Sequence, residues 1–367
     1  MIEYIEIKGY KSIKEAKIEL SKINILIGAN GVGKSNFISF FKLINAIFNQ
    51  RLQRYVKEEK IDNLLYFGRK TTKELFAKLI FKKEEPDNNA YHFSLTQTNE
   101  GNLFIEHESS GYQVLRDNNS KGYYTLHNLD ESQKAISNAY RDRFLRDYIV
   151  NLQAFHFHDT SSTSLLRKEC EINDNIFLKQ DGRNLPAFLY FLKIKNPIVF
   201  NRIVKIIQSV APYIEKFILE SDLINDREIE LRWVDKGDPN SNFSAYQLSD
   251  GTLRFIALTT LLMQPRPPEV IIIDEPELGL HPFAIGKLAG MIQAASEKSQ
   301  IIIGTQSPGL ISHFTPEDVI VMDKSVEENQ TIFKHLSTDS LNEWLGDYTL
   351  GELWERNIIN GAQPFNK

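Results

Sequence analysis

The sequence predicts an α/β fold: a mostly parallel central sheet carrying an antiparallel β subdomain and an inserted helical lobe. Three observations carry this. Gly28-Ala29-Asn30-Gly31-Val32-Gly33-Lys34-Ser35 fits the phosphate-binding pattern G-x-x-x-x-G-K-[ST] directly after the apolar run from Ile23 to Ile27. Far downstream, Leu248-Ser249-Asp250-Gly251-Thr252-Leu253-Arg254 opens a helical pattern. Val270-Ile271-Ile272-Ile273 then runs without a polar break into Asp274-Glu275-Pro276-Glu277, as expected of a strand buried on both faces.

From the N-terminus, apolar positions in residues 2–7 and the runs 18–20 and 23–27 predict two or three strands leading into the loop, with Lys11-Ser12 at a turn. Apolar residues at helical spacing (Phe37, Phe40, Phe41, Ile44, Ile47) predict a helix from Asn36 to about Gln50. Short alternating runs between Glu74 and His127, separated by Asn-, Asp- and Gly-rich turns, predict an antiparallel meander. Arg141 to Tyr148 reads as a helix and Ile149 to His158 as a strand. Phe188 to Leu219 has helical periodicity broken by Pro197 and Pro212, and residues 228–247 return to strand character. The remainder alternates: helix 251–263, strand 269–274, helix 283–296, strand 300–304, helix 307–312, strand 318–323. These patterns divide the chain into an N-terminal lobe (1–160), a mainly helical inserted lobe (161–244), a C-terminal lobe (245–336) and a tail (337–367).

The 367 residues suffice for one large domain or two ordinary ones, and 42% hydrophobic with 25% charged residues is the composition of a soluble globular protein. A net charge of −5 and a pI near 6.0 exclude a global basic field, so any contact with DNA or RNA must come from a local patch. The single cysteine, Cys170, excludes an internal disulfide and a Cys-rich metal cluster and suits a reducing compartment. No apolar stretch reaches the roughly 18–20 residues that span a bilayer. The opening Met1-Ile2-Glu3-Tyr4 has neither a basic region nor an apolar core of a secretory signal, so a cytoplasmic location and no membrane partner are expected.

The chemistry of the motifs points to a nucleotide. Glycines let backbone N–H groups turn inward around phosphate oxygens, and the following helix adds its positive dipole end. Lys34 then reaches the β- and γ-phosphates of ATP, and Ser35 ligates Mg²⁺. Asp274, at the carboxyl end of its strand, holds Mg²⁺ through water, while Glu275 polarises the attacking water as general base. Ser249-Asp250-Gly251 by itself is also a routine helix N-cap; its place before Asp274 gives it weight. His156 and His158 alternate with Phe155 and Phe157 and read as one polar face of a half-buried strand rather than a metal site. Asp159-Thr160-Ser161 reads as the start of a helix. Arg69, Lys70, Lys73, Lys78, Lys82 and Lys83 form a local basic stretch, either solvated strand faces or a phosphate-tracking groove. Gln153 is a candidate for coupling nucleotide to the helical lobe.

Together these residues resemble the RecF/SMC/OLD branch of ABC-type ATPases. Ile7-Lys8-Gly9-Tyr10-Lys11-Ser12 is similar to its N-terminal strand and Phe-[Lys/Arg]-Ser element, with Tyr10 for the Phe. The resemblance implies that Lys11 and Ser12 sit beside the nucleotide. Residues Gly28 to Asn36 resemble its G-x-N-G-x-G-K-S-N loop, which implies that Asn30, Gly31, Gly33, Lys34, Ser35 and Asn36 contact the nucleotide. Ser249, Gly251 and Arg254 resemble its signature helix start, and Asp274 to Pro282 its D-E-P-E-x-x-L-H-P. Gly304-Thr305-Gln306-Ser307 resembles its switch strand, with Gln306 in the place of the usual histidine γ-phosphate sensor. The resemblance is firm over 1–45 and 245–323 and implies a head-to-tail dimer, in which Ser249 and Gly251 complete a site whose Lys34 belongs to a second copy.

The pattern lacks the long coiled-coil arms of SMC proteins, and too little chain follows Asp323 for the Toprim nuclease of OLD proteins. Tyr348 to Trp354 resembles the tails of stand-alone members encoded beside a second protein in defence gene pairs. The expectation is an ATP-hydrolysing dimeric switch in antiviral defence that controls a separately encoded effector. A RecF-like DNA-repair ATPase is the alternative. A transporter's nucleotide-binding subunit fits less well, because of the Lys11-Ser12 opening, Gln306 and the ending Thr252-Leu253-Arg254.

Overall fold

A computed structural model of the chain describes residues 1–81, 87–98, 101–116, 120–125, 148–149, 152–221 and 225–359. The strands are β1 (Ile2–Tyr10), β2 (Ile13–Glu19), β3 (Ile23–Ile27), β4 (Glu74–Phe81), β5 (Asp87–Gln97), β6 (Leu103–Arg116), β7 (Ser120–Thr125), β8 (Leu152–Phe155), β9 (Cys170–Glu171), β10 (Ile214–Ile218), β11 (Glu228–Ile229), β12 (Arg232–Asp235), β13 (Asp238–Ser244), β14 (Val270–Asp274), β15 (Gln300–Thr305), β16 (Val319–Ser325) and β17 (Gln330–His335). The helices are α1 (Lys34–Phe48), α2 (Leu52–Glu59), α3 (Ile61–Leu64), α4 (Gly68–Thr71), α5 (Leu185–Lys195), α6 (Pro197–Val210), α7 (Asp250–Met263), α8 (Pro282–Ala295), α9 (Pro308–Ile311), α10 (Thr338–Leu345) and α11 (Leu350–Glu355). None of these is long and apolar enough to cross a membrane.

The central sheet has the order β17-β16-β3-β15-β14-β8, parallel throughout except for β17 at one edge. Strands β3, β14, β15 and β16 are rich in β-branched apolar residues because both faces are covered, and their side chains alternate between two cores. Ile25, Ile27, Ile271, Ile273, Ile301 and Ile303 point into one core, shared with α5 to α8. Leu26, Val270, Ile272, Ile302, Ile320 and Met322 point into the other, shared with α1 and the antiparallel sheet. That second sheet has the order β2-β1-β4-β5-β6-β7. The α/β class, the mostly parallel central sheet and the antiparallel subdomain are those the sequence predicts.

Several elements differ from the sequence reading. Residues 214–218 continue the apolar pattern of α6 but form strand β10, because Pro212 lies just beyond the end of α6 and β12 offers an edge to pair with. Pro197 starts α6 rather than breaking a helix, since its missing N–H lies where no intrahelical bond is required. Residues 161–244 therefore combine helix with sheet: α5 and α6 pack with the three-stranded sheet β10-β12-β13. Asp159-Thr160-Ser161 starts no α-helix. Asp159 accepts bonds from the Ser161 backbone and hydroxyl, and only the 3-10 turn Leu165–Arg167 follows. β17, α10 and α11 carry no strong sequence pattern, yet Leu353 and Trp354 of the tail are buried. Of the helix read over Arg141 to Tyr148, residues 141–147 lie outside the described residues, as do 126–127 of the meander and Lys82 and Lys83.

Candidate functional site

The register of the central sheet brings the distant motifs together. β3, β15 and β14 are adjacent, with Ile27 opposite Thr305 and Gly304 opposite Asp274. Their carboxyl ends therefore deliver the glycine loop, Gln306 and Asp274-Glu275 to one edge, where open α/β sheets bind ligands.

The loop turns on Gly31 and Gly33, whose φ of +83° and +116° lie in the left-handed region that favours glycine. A Cβ on Gly31 would meet nothing within 4 Å, whereas one on Gly33 would collide with Thr331 Oγ1 and lie 2.7 Å from Ser12 Oγ. Ser12 is held on three sides: Asn36 Nδ2 donates to its hydroxyl at 2.8 Å, that hydroxyl pairs with Thr331 Oγ1 at 2.8 Å, and the Thr331 N–H donates to its carbonyl. Thr331 also donates to the Val32 carbonyl at 2.6 Å, so β17 clamps the loop. Tyr10 occupies the Phe position fully buried, and its hydroxyl pairs with Ser39 at 2.8 Å.

Lys34 is buried and donates to the carbonyls of Gly28 and, at 3.1 Å, Ala29. Burial lowers its pKa, opposed by the nearby Asp274, Glu275 and Glu277. Ser35 Oγ donates to Asp274 Oδ2 at 2.9 Å. A hydroxyl and a carboxylate side by side are the hard oxygen donors that suit Mg²⁺. Asp274's pKa is raised by burial, with the Ser35 bond pulling the other way. Gly304 leaves room for this carboxylate, since a Cβ there would press on Asp274 Oδ1 and Ile38.

Gln306 joins the parts. Its Nε2 donates to Asn30 Oδ1 at 2.6 Å and to Glu275 Oε1 at 3.1 Å. Glu275 has a φ of +40°, unusual for a side-chain-bearing residue and costing about 1–3 kcal/mol, and its N–H is pinned to the Gly304 carbonyl at 2.7 Å. The neighbouring Glu277 is buried, accepts from Thr305 Oγ1 through one oxygen and leaves Oε2 without a partner. Burial raises its pKa above 4.5. Deprotonation is thus harder in the folded chain than in the unfolded one. Its contribution is greatest at low pH and declines as pH rises through the folded-state pKa. Glu277→Gln protein should therefore lose less thermal stability than wild type between pH 5 and pH 8; an equal loss in both would remove Glu277 as the cause.

The remaining candidates stand apart. Lys11 pairs with Glu59 of α2 at 3.2 Å, so of the Lys11-Ser12 turn only Ser12 contacts the loop's side chains. Ser249 is exposed and caps α7, accepting from the Thr252 N–H at 3.2 Å. Gly251 has a local reason to be glycine: a Cβ would collide with the Gly279 carbonyl, so the start of α7 rests on the loop after β14. Arg254 locks that contact, donating to the carbonyls of Phe157 at 2.9 Å, His158 at 2.8 Å and Leu278. Arg167, buried, does the same from below through Thr160, Ala245 and Leu248 carbonyls and a 2.7 Å pair with Asp250. Gln153 lies within β8, short of its carboxyl end. The rings of His156 and His158 are 6.3 Å apart, burial lowers the His156 pKa to about 4, and among the described residues no group of three metal-binding side chains is present.

Thr331 and Arg167 are the residues that sequence reasoning missed, and neither lies in a motif. Gly304 and Glu277 were named inside the switch strand and Asp-Glu-Pro-Glu, but without the roles that their contacts give them.

The family model described as "AAA domain, putative AbiEii toxin, Type IV TA system" matches residues 23–312. No curated protein matches the chain. Among solved structures it is similar to an SMC head bound to the C-terminal winged-helix domain of ScpA, with a TM-score of 0.56, 17% identity, and 93% of this chain and 99% of that one covered. It is also similar to an SMC head with an extended coiled coil, bound to the C-terminal domain of ScpA, from Pyrococcus furiosus, with a TM-score of 0.53, 16% identity, and 94% and 98% covered. At these identities the likeness is one of fold.

Proposed function

The chain belongs to this AbiEii-type family of AAA domains and has the fold of SMC head ATPases, and from that premise we propose that it binds and hydrolyses ATP with Mg²⁺ as a dimeric switch. The observation that carries the reading is the hydrogen-bonded constellation Ser35–Asp274, Asn30–Gln306 and Gln306–Glu275, assembled from three separate stretches of chain. In it, Gly31, Gly33 and Lys34 bind the phosphates, with Ser12 and Asn36 bracing the loop. Ser35 and Asp274 hold Mg²⁺, which neutralises charge on the phosphates. Glu275 takes the proton of the attacking water, and Gln306 orients Glu275 and reports the γ-phosphate. Lys11, tied to Glu59, acts beside the site.

Ser249 is exposed at the cap of α7 and shares no hydrogen bond with the loop, which supports the use of Ser249 and the adjacent Gly251 by a second copy. Purified Lys34→Ala and Ser249→Arg proteins should each be inactive and recover part of the ATPase rate when mixed, because one heterodimer site is then intact. No recovery, with heterodimers demonstrated by mass, would count against a shared site.

The wider role we propose is the ATPase of an antiviral defence pair that senses a trigger and controls a separate effector. The Type IV toxin–antitoxin description of the family supports a defence setting. The binding of ScpA domains by the SMC heads supports a partner-docking ATPase. Phage challenge of cells carrying this gene with and without its genomic neighbour tests the pair; protection by this gene alone would rule out the division of labour.

A further inference from the structure

A groove of about 970 Å³ lies outside the site described, between α4 and the end of β5, lined by Asp62, Phe67, Arg69, Lys70, Lys73 and Gln97. It is the structural form of the basic stretch noticed in the sequence. Phe67 is 58% exposed and has a φ of +52°, a strained backbone for an aromatic residue that gains little from burial. The strain is held from beneath. The Tyr66 ring meets Phe67 edge-on at 4.6 Å, and the Tyr66 hydroxyl donates to the carbonyls of Glu328 and Asn329 at 3.2 Å. The Tyr66 N–H donates to the Gly9 carbonyl at 3.1 Å, and that of Gly68 to Leu65.

Around this ring the cations are arranged unequally. Arg69 is clamped by Asp62 through Nε and Nη2, both at 3.0 Å, which neutralises it and fixes the turn. Gln97 Nε2 donates to the Arg69 carbonyl at 3.2 Å, fastening α4 to β5, and Lys73 Nζ donates to the same carbonyl at 3.0 Å. Lys70 and Lys73 have no carboxylate partner among the described residues and are exposed. An aromatic ring 58% exposed beside two exposed ammonium groups that form no salt bridge among the described residues matches a nucleobase stacked on the ring with flanking phosphates on the lysines. The bases of a duplex are already stacked on each other and cannot reach such a ring. With an overall charge of −5, this attraction is local.

We propose that this groove binds single-stranded nucleic acid, with a base on Phe67 and backbone phosphates on Lys70 and Lys73. It is also wired to the glycine loop: the Lys11 N–H donates to the Leu64 carbonyl at 2.9 Å, and the next residue, Ser12, holds Asn36 and Thr331. Only this coupling rests on the ATPase reading.

The test is fluorescence anisotropy with a labelled oligothymidylate of about 20 nucleotides, without ATP. Wild type should bind it, Phe67→Ala should bind about tenfold more weakly, and Phe67→Tyr should restore binding. The double variant Lys70→Glu, Lys73→Glu should lose about a hundredfold and lower the salt slope by about 1.4, two single-strand phosphate contacts. The groove is overturned if wild type does not bind, if a duplex of the same length binds as tightly, if the variants match wild type, or if inorganic phosphate at equal concentration displaces the oligonucleotide. Bound oligonucleotide should also change the ATPase rate of wild type and leave that of the double variant unaltered. Binding with no ATPase activity supports the groove and counts against the ATPase reading alone.

Discussion

Glu275→Gln protein is expected to bind ATP with near wild-type affinity and to turn it over about 10³-fold more slowly. Glutamine keeps the shape and the Oε1 acceptor that Gln306 Nε2 reaches at 3.1 Å, so the link from Asn30 through Gln306 survives. What it lacks is the ability to take a proton. The strained backbone, φ +40° with its N–H on the Gly304 carbonyl, is the same for either side chain, so the melting temperature should hardly move. Steady-state phosphate release together with equilibrium ATP binding decides the matter. Undiminished turnover would remove Glu275 from the role of base and direct attention to Glu277, whose Oε2 is buried without a partner.

Lys34→Ala should instead impair binding, weakening ATP by about a hundredfold or more, because the loop holds no other cation to meet the phosphates. Its effect on the unliganded protein has a different sign structure. Burial lowers the Lys34 pKa, so the folded chain disfavours the charged form, and this penalty is relieved only as pH rises through the folded-state value. Against that, the carbonyls of Gly28 and Ala29 lose their donor. These terms oppose each other, and the unliganded variant should melt close to wild type. ATP with Mg²⁺ should raise the wild-type melting temperature, by about 2.7 kcal/mol of stabilisation at a hundredfold excess over Kd, and leave the variant's unmoved. An ATP-dependent shift in Lys34→Ala equal to that of wild type would show that the loop is not the nucleotide site.

The sequence by itself determined the α/β class, the loop from Gly28 to Ser35, the buried strand ending at Asp274 and the switch strand ending at Gln306. These are legible because each is a local constraint: left-handed backbone demands glycine, a strand covered on both faces demands an unbroken apolar run, and a helix start demands a cap. Tertiary structure decided what depends on residues far apart in the chain. The strand 214–218 carries the same apolar periodicity as the helix before it and becomes a strand because β12 offers an edge. Lys11, placed beside the nucleotide by motif, is drawn to Glu59. Gly251, read as a contact for a second copy, is first required by the Gly279 carbonyl of its own chain. Thr331, on a strand with no strong pattern, closes the glycine loop from β17 because Ser12 and Val32 face it across the central sheet's edge. Spacing along a chain records what a segment must do for itself; which carboxylate, carbonyl or hydroxyl it meets is set only when the sheets have chosen their neighbours.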